Sequence, residues 1–142
     1  MIRYPFNKLI RSNLPERMKK EGVIFNSKGL SQEEYAEELK RKLVEEADEV
    51  LDTTSKDRLV AELADVMEVI NAMLEANSIS TEEVEKHRLE KREINGYFHP
   101  DNYINYIDVA KDNTLVRGYL ADKDRPYKFY PVDDDLAKVQ DE

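Results

Sequence analysis

The stretch that most constrains the fold of this chain is the twenty-residue segment from Arg58 to Asn77. Thirteen of its residues are Ala, Val, Leu, Ile or Met, and it contains neither Gly nor Pro. At about 100° per residue, these positions make a helix that is apolar on more than one side. Such a helix belongs in the interior, so we expect the other elements to be arranged around it.

The predicted central helix has three faces. Its broad apolar stripe is formed by Leu59, Leu63, Val66, Met67, Ile70, Met73 and Leu74. The expected solvent side carries Glu68, Asn71 and Glu75. The third face holds small residues together with two acids, and its members are Val69, Ala72, Ala76, Glu62 and Asp65. Because burying an unpaired carboxylate is costly, we expect these acids to be compensated by cations.

The charge of the chain is unevenly distributed. The 142 residues include 31 acidic and 22 basic side chains, which gives a net charge of −9. Residues 1–30 nevertheless carry an excess of five positive charges, so a basic arm precedes an acidic body. A net negative charge argues against nucleic acid or an anionic membrane surface as a partner.

Composition excludes several classes of protein. The chain has no Cys, so a disulfide, a thiolate nucleophile or a Cys-ligated zinc has no part in it. The first residues lack the apolar core of a signal peptide, and no apolar run reaches the length of a membrane span. We therefore expect a cytoplasmic protein whose length suits one domain.

Capping patterns predict further helices on both sides of the central one. A short helix is expected from Ser12 or Asn13 to Gly22. The S-x-x-E box at Ser31 opens a long helix to about Asp52, whose buried stripe is Tyr35, Leu39, Leu43, Ala47 and Val50. The polar turn at residues 53–57 returns the chain antiparallel into the central helix. A second box at Ser80 begins an outer helix that ends near Asn95 and Gly96.

The composition changes after Gly96, and eight of the twelve aromatic residues fall between Tyr97 and Tyr130. Residues 103–109, 114–120 and 128–132 have the β-branched and aromatic content of short strands. We therefore predict an all-α antiparallel helical bundle over residues 1–98. We expect residues 99–142 to form a small β-containing extension, packed on the same domain or on a neighbouring subunit.

Two pairs of acids form the main functional candidate. Glu46 and Glu49 share one face of their helix, Glu62 and Asp65 share a face of the central helix, and the short turn makes the faces meet. Oxygen ligands without His or Cys suit Mg²⁺, with Mn²⁺ as a second choice. Glu45 lies beside them as a candidate to polarise water. The competing interpretation is a solvated helix face, since acidic chains produce such spacings by chance.

These residues resemble a known family. The run from Lys42 to Glu49, followed after twelve residues by Glu62 to Ile70, is similar to the E-x-x-E…E-x-x-D signature of the MazG-like all-α nucleoside triphosphate pyrophosphohydrolases. The segment from Lys8 to Pro15 and the segment from Lys91 to Phe98 resemble two motifs of the phosphoribosyl-ATP pyrophosphohydrolase-like branch. Ser12, Asn13, Asn95 and Tyr97 depart from that branch's pattern.

The resemblance implies a mechanism and a set of roles. Glu46, Glu49, Glu62 and Asp65 would bind Mg²⁺, which bridges the phosphates of a nucleotide substrate. Water would attack the α-phosphorus and release pyrophosphate and a monophosphate. Glu45 and Glu46 would be the catalytic residues. The phosphate contacts would come from Arg11, Lys42, Lys91 and Arg92, although without the resemblance Arg11 and Lys42 are ordinary surface cations.

Three functions are compatible with these residues. The first is pyrophosphohydrolysis of a nucleoside triphosphate or related nucleotide, as in cleansing of the nucleotide pool. The second is hydrolysis of phosphoribosyl-ATP in histidine biosynthesis. The third is a catalytically inactive helical interaction module, suggested by the departures at Asn95 and Tyr97. In the first two cases we expect Glu46→Gln or Asp65→Asn to abolish turnover and to relieve repulsion in the metal-free protein.

The central helix also predicts assembly. One antiparallel helix covers a single stripe of it, which leaves Val60 and Ala64 on one flank and Val69, Ala72 and Ala76 on the other. A second copy of the chain is the simplest cover for such a surface. We therefore expect a homodimer or homotetramer, as the family resemblance also implies.

Overall fold

The computed structural model describes residues 1–121, and five α-helices lie in that part of the chain. In chain order they are α1 (Leu14–Lys20), α2 (Gln32–Leu51), α3 (Lys56–Ala76), α4 (Thr81–Asn95) and α5 (Thr114–Ala121). A 3-10 turn at Pro100–Asn102 precedes α5. The chain divides after Gly96 into two units, and the first unit contains α1 to α4.

The boundaries of the two longest helices follow from their caps. Ser31 Oγ accepts a hydrogen bond from the Glu34 N–H at 3.1 Å, and Glu34 Oε2 accepts one from the Ser31 N–H at 2.9 Å. This reciprocal capping box confirms the predicted start of α2. Ser55 Oγ caps α3 by accepting from the Arg58 N–H at 3.3 Å. The central helix therefore begins at Lys56, two residues before the predicted start.

Helices α2 and α3 form an antiparallel hairpin, and theirs is the only extensive helix packing within the described residues. Their connection spans residues 52–55, too short for any but an antiparallel return. The best-buried apolar side chains in this part of the chain are Leu39 of α2 and Val69 of α3, exposed by 3% and 7%. The predicted helical bundle is thus confirmed, with the hairpin as its core.

The face of α3 that packs on α2 differs from the prediction. The side carrying small residues and acids is the covered one, since Glu62 and Val69 are buried and Ala72 and Ala76 are half-buried. Small side chains on this face allow close approach of the two helices. Val66, Met73 and Leu74 of the predicted stripe are half-buried. Five other large apolar side chains are 37% to 64% exposed, and they are Leu59, Val60, Leu63, Met67 and Ile70. We call these five residues the outer α3 face.

The predicted stripe of α2 is mostly correct. Leu39 is buried, and Tyr35, Leu43 and Val50 are half-buried. Ala47 is exposed, because the helix turns Glu46 rather than Ala47 toward α3. The acidic side of α2 that carries Glu46 therefore lies partly inside the hairpin.

Helix α4 begins and ends as predicted. Ser80 Oγ accepts a hydrogen bond from the Glu83 N–H at 3.1 Å, and Gly96 ends the helix with a φ of 79°, which favours glycine. The apolar residues Val84, Leu89 and Ile94 are exposed. No helix in the described part of the chain is both long and apolar enough to cross a lipid bilayer.

The β-containing extension is not supported, because residues 97–121 contain no strand. Residues 103–109 have no regular secondary structure, since no second segment in the described chain pairs with them. Residues 114–120 lie in α5, where Asn113 Oδ1 accepts a hydrogen bond from the Val116 N–H at 3.1 Å and starts the helix. The third predicted strand, residues 128–132, lies outside the described residues.

Candidate active site

Three carboxylates from the two helices of the hairpin converge. Glu46 and Glu49 lie one turn apart on α2, and Glu62 faces them from α3. One carboxylate oxygen from each lies within 4.8 Å of the others. Glu46 and Glu62 are buried, whereas Glu49 is exposed. We call these three residues the carboxylate cluster.

Lys42 compensates the cluster from within α2. Its Nζ lies 2.8 Å from Glu46 Oε1 and 3.3 Å from Glu45 Oε2. Burial by itself would lower the pKa of Lys42, but the hydrogen bond and charge of Glu46, aided by Glu45, raise it above its ordinary value. The half-buried lysine is therefore held in its charged form.

Arg58 compensates the cluster from α3. Its Nη2 lies 3.2 Å from Glu62 Oε1, one helical turn away. The Glu62 side chain is largely buried, and the Arg58 side chain is largely exposed. The pair therefore orients a buried carboxylate with a cation that remains in contact with water.

The basic arm supplies two more cations. Lys8 Nζ donates to Glu45 Oε1 at 2.7 Å, and Arg11 Nη2 donates to Asp65 Oδ1. The hydrogen bond from Lys8, together with the charges of Lys42 and Lys8, lowers the pKa of Glu45. Asp65 thus belongs to an ion pair with the arm, and it lies outside the carboxylate cluster.

Glu49 is the acid of the cluster that lacks such compensation. Within residues 1–121 it forms no ion pair closer than 4 Å. Partial removal from water, followed by the charge of Glu46 and the hydrogen bond and charge of Glu62, raises its pKa. Glu49 therefore bears part of the electrostatic cost of bringing three acids together.

The donor set of the cluster fits a hard divalent cation. All three side chains offer carboxylate oxygens, and two of these side chains are buried. Partial removal from water and the charges of Glu46 and Glu62 raise the pKa of Glu49, and a cation bound at the cluster would favour its charged form. The predicted ligands Glu46, Glu49 and Glu62 are thus brought together, whereas the fourth, Asp65, is paired with Arg11.

The remaining predicted site residues near and beyond the cluster lie on α2 and α4. Glu45 and Lys42 lie next to the cluster on α2. Lys91 and Arg92 lie near the end of α4, which does not pack extensively on the hairpin within the described residues, and their role stays a prediction. Lys8 and Arg58 were missed as site residues. The available signals were the place of Lys8 in the motif that resembles the family and the i,i+4 spacing of Arg58 from Glu62 on the central helix.

Comparison with known proteins identifies the domain that contains this site. The family model described as phosphoribosyl-ATP pyrophosphohydrolase matches residues 6–92, which is more than half of the chain and includes most of the basic arm, the hairpin and most of α4. No curated protein and no solved structure gives a significant match. The predicted resemblance is confirmed. The chain belongs to the phosphoribosyl-ATP pyrophosphohydrolase family, a branch of the MazG-like enzymes that hydrolyse phosphoric anhydrides in nucleotides.

Proposed function

We propose that this protein hydrolyses a nucleoside triphosphate or a related nucleotide to a monophosphate and pyrophosphate, in a reaction that requires Mg²⁺. The observation that carries this proposal is the carboxylate cluster of Glu46, Glu49 and Glu62 within a domain of this family. Cleansing of the nucleotide pool is the corresponding role.

The metal would be held by Glu46, Glu49 and Glu62, with Asp65 as a fourth ligand once it has left Arg11. An exclusively carboxylate donor set favours Mg²⁺, and Mn²⁺ accepts the same ligands. When bound, such an ion neutralises phosphate charge and lowers the pKa of coordinated water. Lys42 and Arg58 would keep the Glu46 and Glu62 carboxylates oriented.

In the proposed reaction, the oxygen of water bonds to the α-phosphorus and the bond from that phosphorus to the bridging oxygen breaks. Pyrophosphate leaves with the electron pair of the broken bond. Glu45 would accept the proton of water at Oε1, the oxygen that Lys8 holds at 2.7 Å in the present structure. Departure of Lys8 would free that oxygen and raise the basicity of the carboxylate.

The negative charge of the substrate would be met by Lys42, Arg11, Lys91 and Arg92. Lys42 already lies beside the cluster, which supports its role. The basic arm brings Arg11 to the same region through Asp65. Cations at these positions would stabilise charge that develops on the phosphate oxygens.

The name of the matching family supports a second candidate, hydrolysis of phosphoribosyl-ATP. Both candidates use the same acids and break the same kind of anhydride. A panel of nucleoside triphosphates and phosphoribosyl-ATP, assayed for pyrophosphate with and without Mg²⁺, separates them by their relative kcat/KM. A folded protein that releases no pyrophosphate from any member of the panel would instead be a helical interaction module.

We further propose that the protein is a homodimer or a dimer of dimers. The supporting observation is the outer α3 face, whose five apolar side chains remain 37% to 64% exposed in the single chain. Two copies related by a two-fold axis would pair these faces and complete a four-helix bundle.

A further inference from the structure

A short segment of the basic arm is bound to both helices of the hairpin. Lys8 reaches α2 through Glu45 at 2.7 Å, and Arg11 reaches α3 through Asp65. Between them, Leu9 and Ile10 are half-buried, in contrast to the exposed residues 1–8. Asn7 bends the chain just before Lys8 with a φ of 44°. We call residues 7–11 the latch.

The latch occupies two acids that the proposed reaction needs. Glu45 is the proposed proton acceptor, and Lys8 and Lys42 take both of its oxygens. Asp65 is the proposed fourth ligand, and Arg11 holds it one helical turn from Glu62. The three remaining acids already form the cluster without Asp65. In the latched protein, Asp65 is therefore not free to bind a metal ion and Glu45 is not free to accept a proton.

We propose that the latch is an autoinhibitory contact that competes with the divalent cation for Asp65, so that metal loading releases Arg11 from α3. This inference rests on the proposed function. A guanidinium and a metal ion require the same carboxylate, so each weakens the binding of the other. The coupling is reciprocal, because the closed latch lowers the affinity for the metal by the same factor by which the bound metal disfavours the closed latch.

The exposure of Arg11 and Asp65 to water limits the strength of this coupling. The Arg11 side chain is 56% exposed and the Asp65 side chain 41% exposed. Ion pairs in contact with water are weak and are screened by salt. The latch is thus able to open in response to an ion.

The first test is binding of Mn²⁺ to the full chain without nucleotide, measured by isothermal titration calorimetry at low ionic strength. We expect Arg11→Gln to bind Mn²⁺ about two- to five-fold more tightly than the wild type. Arg17→Gln is the matched control, because Arg17 pairs with Glu21 in the α1 region, and it should leave the affinity unchanged. Equal or weaker binding by Arg11→Gln would overturn the proposal.

The second test separates the latch from a simple charge effect. Trypsin cleaves after Arg11 only when that side chain is free to enter the protease, and the exposed Arg3 on the same chain provides an internal reference. We expect Mn²⁺ to increase cleavage after Arg11 relative to cleavage after Arg3. In Asp65→Asn the relative cleavage should be high already, and Mn²⁺ should not change it. A ratio in the wild type that is insensitive to Mn²⁺ would contradict the latch.

These outcomes are distinct from failure of the proposed function. If the latch is wrong but the function correct, pyrophosphate release continues while Arg11→Gln and wild type bind Mn²⁺ equally. If the function is wrong but the latch correct, Mn²⁺ still binds and still exposes Arg11 to trypsin, yet no nucleotide is hydrolysed.

Discussion

Lys42 Nζ lies 2.8 Å from Oε1 of Glu46, four residues further along α2. From the sequence alone, removal of the Glu46 charge is expected to relieve repulsion among acids. The ion pair reverses that expectation for the metal-free protein, because the Glu46 side chain is 8% exposed and its cation is only 22% exposed.

We therefore expect Glu46→Gln to lower the free energy of unfolding by about 1–2 kcal/mol without metal, since a hydrogen bond to a charged partner is weakened. Urea denaturation measures this change. Glu37→Gln is the control, because its pair with Lys40 lies on the exposed surface of the same helix, and it should destabilise the protein much less than Glu46→Gln does. A more stable Glu46→Gln protein would show that repulsion within the cluster outweighs the pair.

Substitution of Glu49 should have the opposite effect on stability. We expect Glu49→Gln to raise the melting temperature of the metal-free protein, because it removes a negative charge that is destabilised by partial burial, Glu46 and Glu62. The same variant should lose Mg²⁺-dependent turnover and bind Mn²⁺ at least about tenfold more weakly. Asp48→Asn, next to it on α2 but outside the cluster, should change neither property. Retention of wild-type Mn²⁺ affinity would remove Glu49 from the site.

The difference in the free energy of unfolding between the wild type and Glu49→Gln should depend on pH. The folded-state pKa of Glu49 is raised, so the wild type loses stability as pH rises from the unfolded-state value through the folded one. Below that window Glu49 is protonated in both states, and the wild type and Glu49→Gln should be equally stable. The advantage of Glu49→Gln should appear as pH rises and then level off. Urea titrations at a series of pH values measure it, and a constant difference would contradict the charge explanation.

The outer α3 face provides a test of assembly. We expect Leu63→Lys to raise the dissociation constant of the dimer about tenfold or more, because it places a charge at the centre of an apolar contact. Leu63 is 45% exposed in the single chain, so the hairpin itself should remain folded. Sedimentation equilibrium at micromolar concentration measures the change, with Glu68→Lys on the polar side of α3 as control. An active wild-type monomer at that concentration would refute the proposed dimer.

The capping box of α2 gives a local prediction. Ser31→Ala removes the oxygen that accepts the Glu34 N–H, and we expect a loss of about 1 kcal/mol in the free energy of unfolding. Ser27→Ala, in the exposed segment before α2, should be neutral. Equal stability of the two variants would indicate that the first turn of α2 is held by other contacts.

Much of the fold follows from local sequence. Ser31 and Ser80 are the predicted starts of two long helices and Gly96 is the predicted end of the last, because caps satisfy backbone groups within a few residues of themselves. Ser55, which caps α3, lies within the predicted turn. The spacing of Glu46, Glu49 and Glu62 also follows from helical periodicity and a short turn. Residues 114–120 were assigned wrongly to a strand, since the contribution of the Asn113 cap to a helix was overlooked.

The sequence by itself determined which residues share a face of each helix, that Glu46, Glu49 and Glu62 meet across the hairpin, and which family the chain belongs to. Tertiary structure decided which face of α3 is covered and which cation serves which acid. Periodicity places residues on a common face, but it does not state which face another helix will cover. Lys8 and Arg11 lie 37 and 54 residues from their partners, and pairs so distant along the chain form only where the path of the folded arm brings them together.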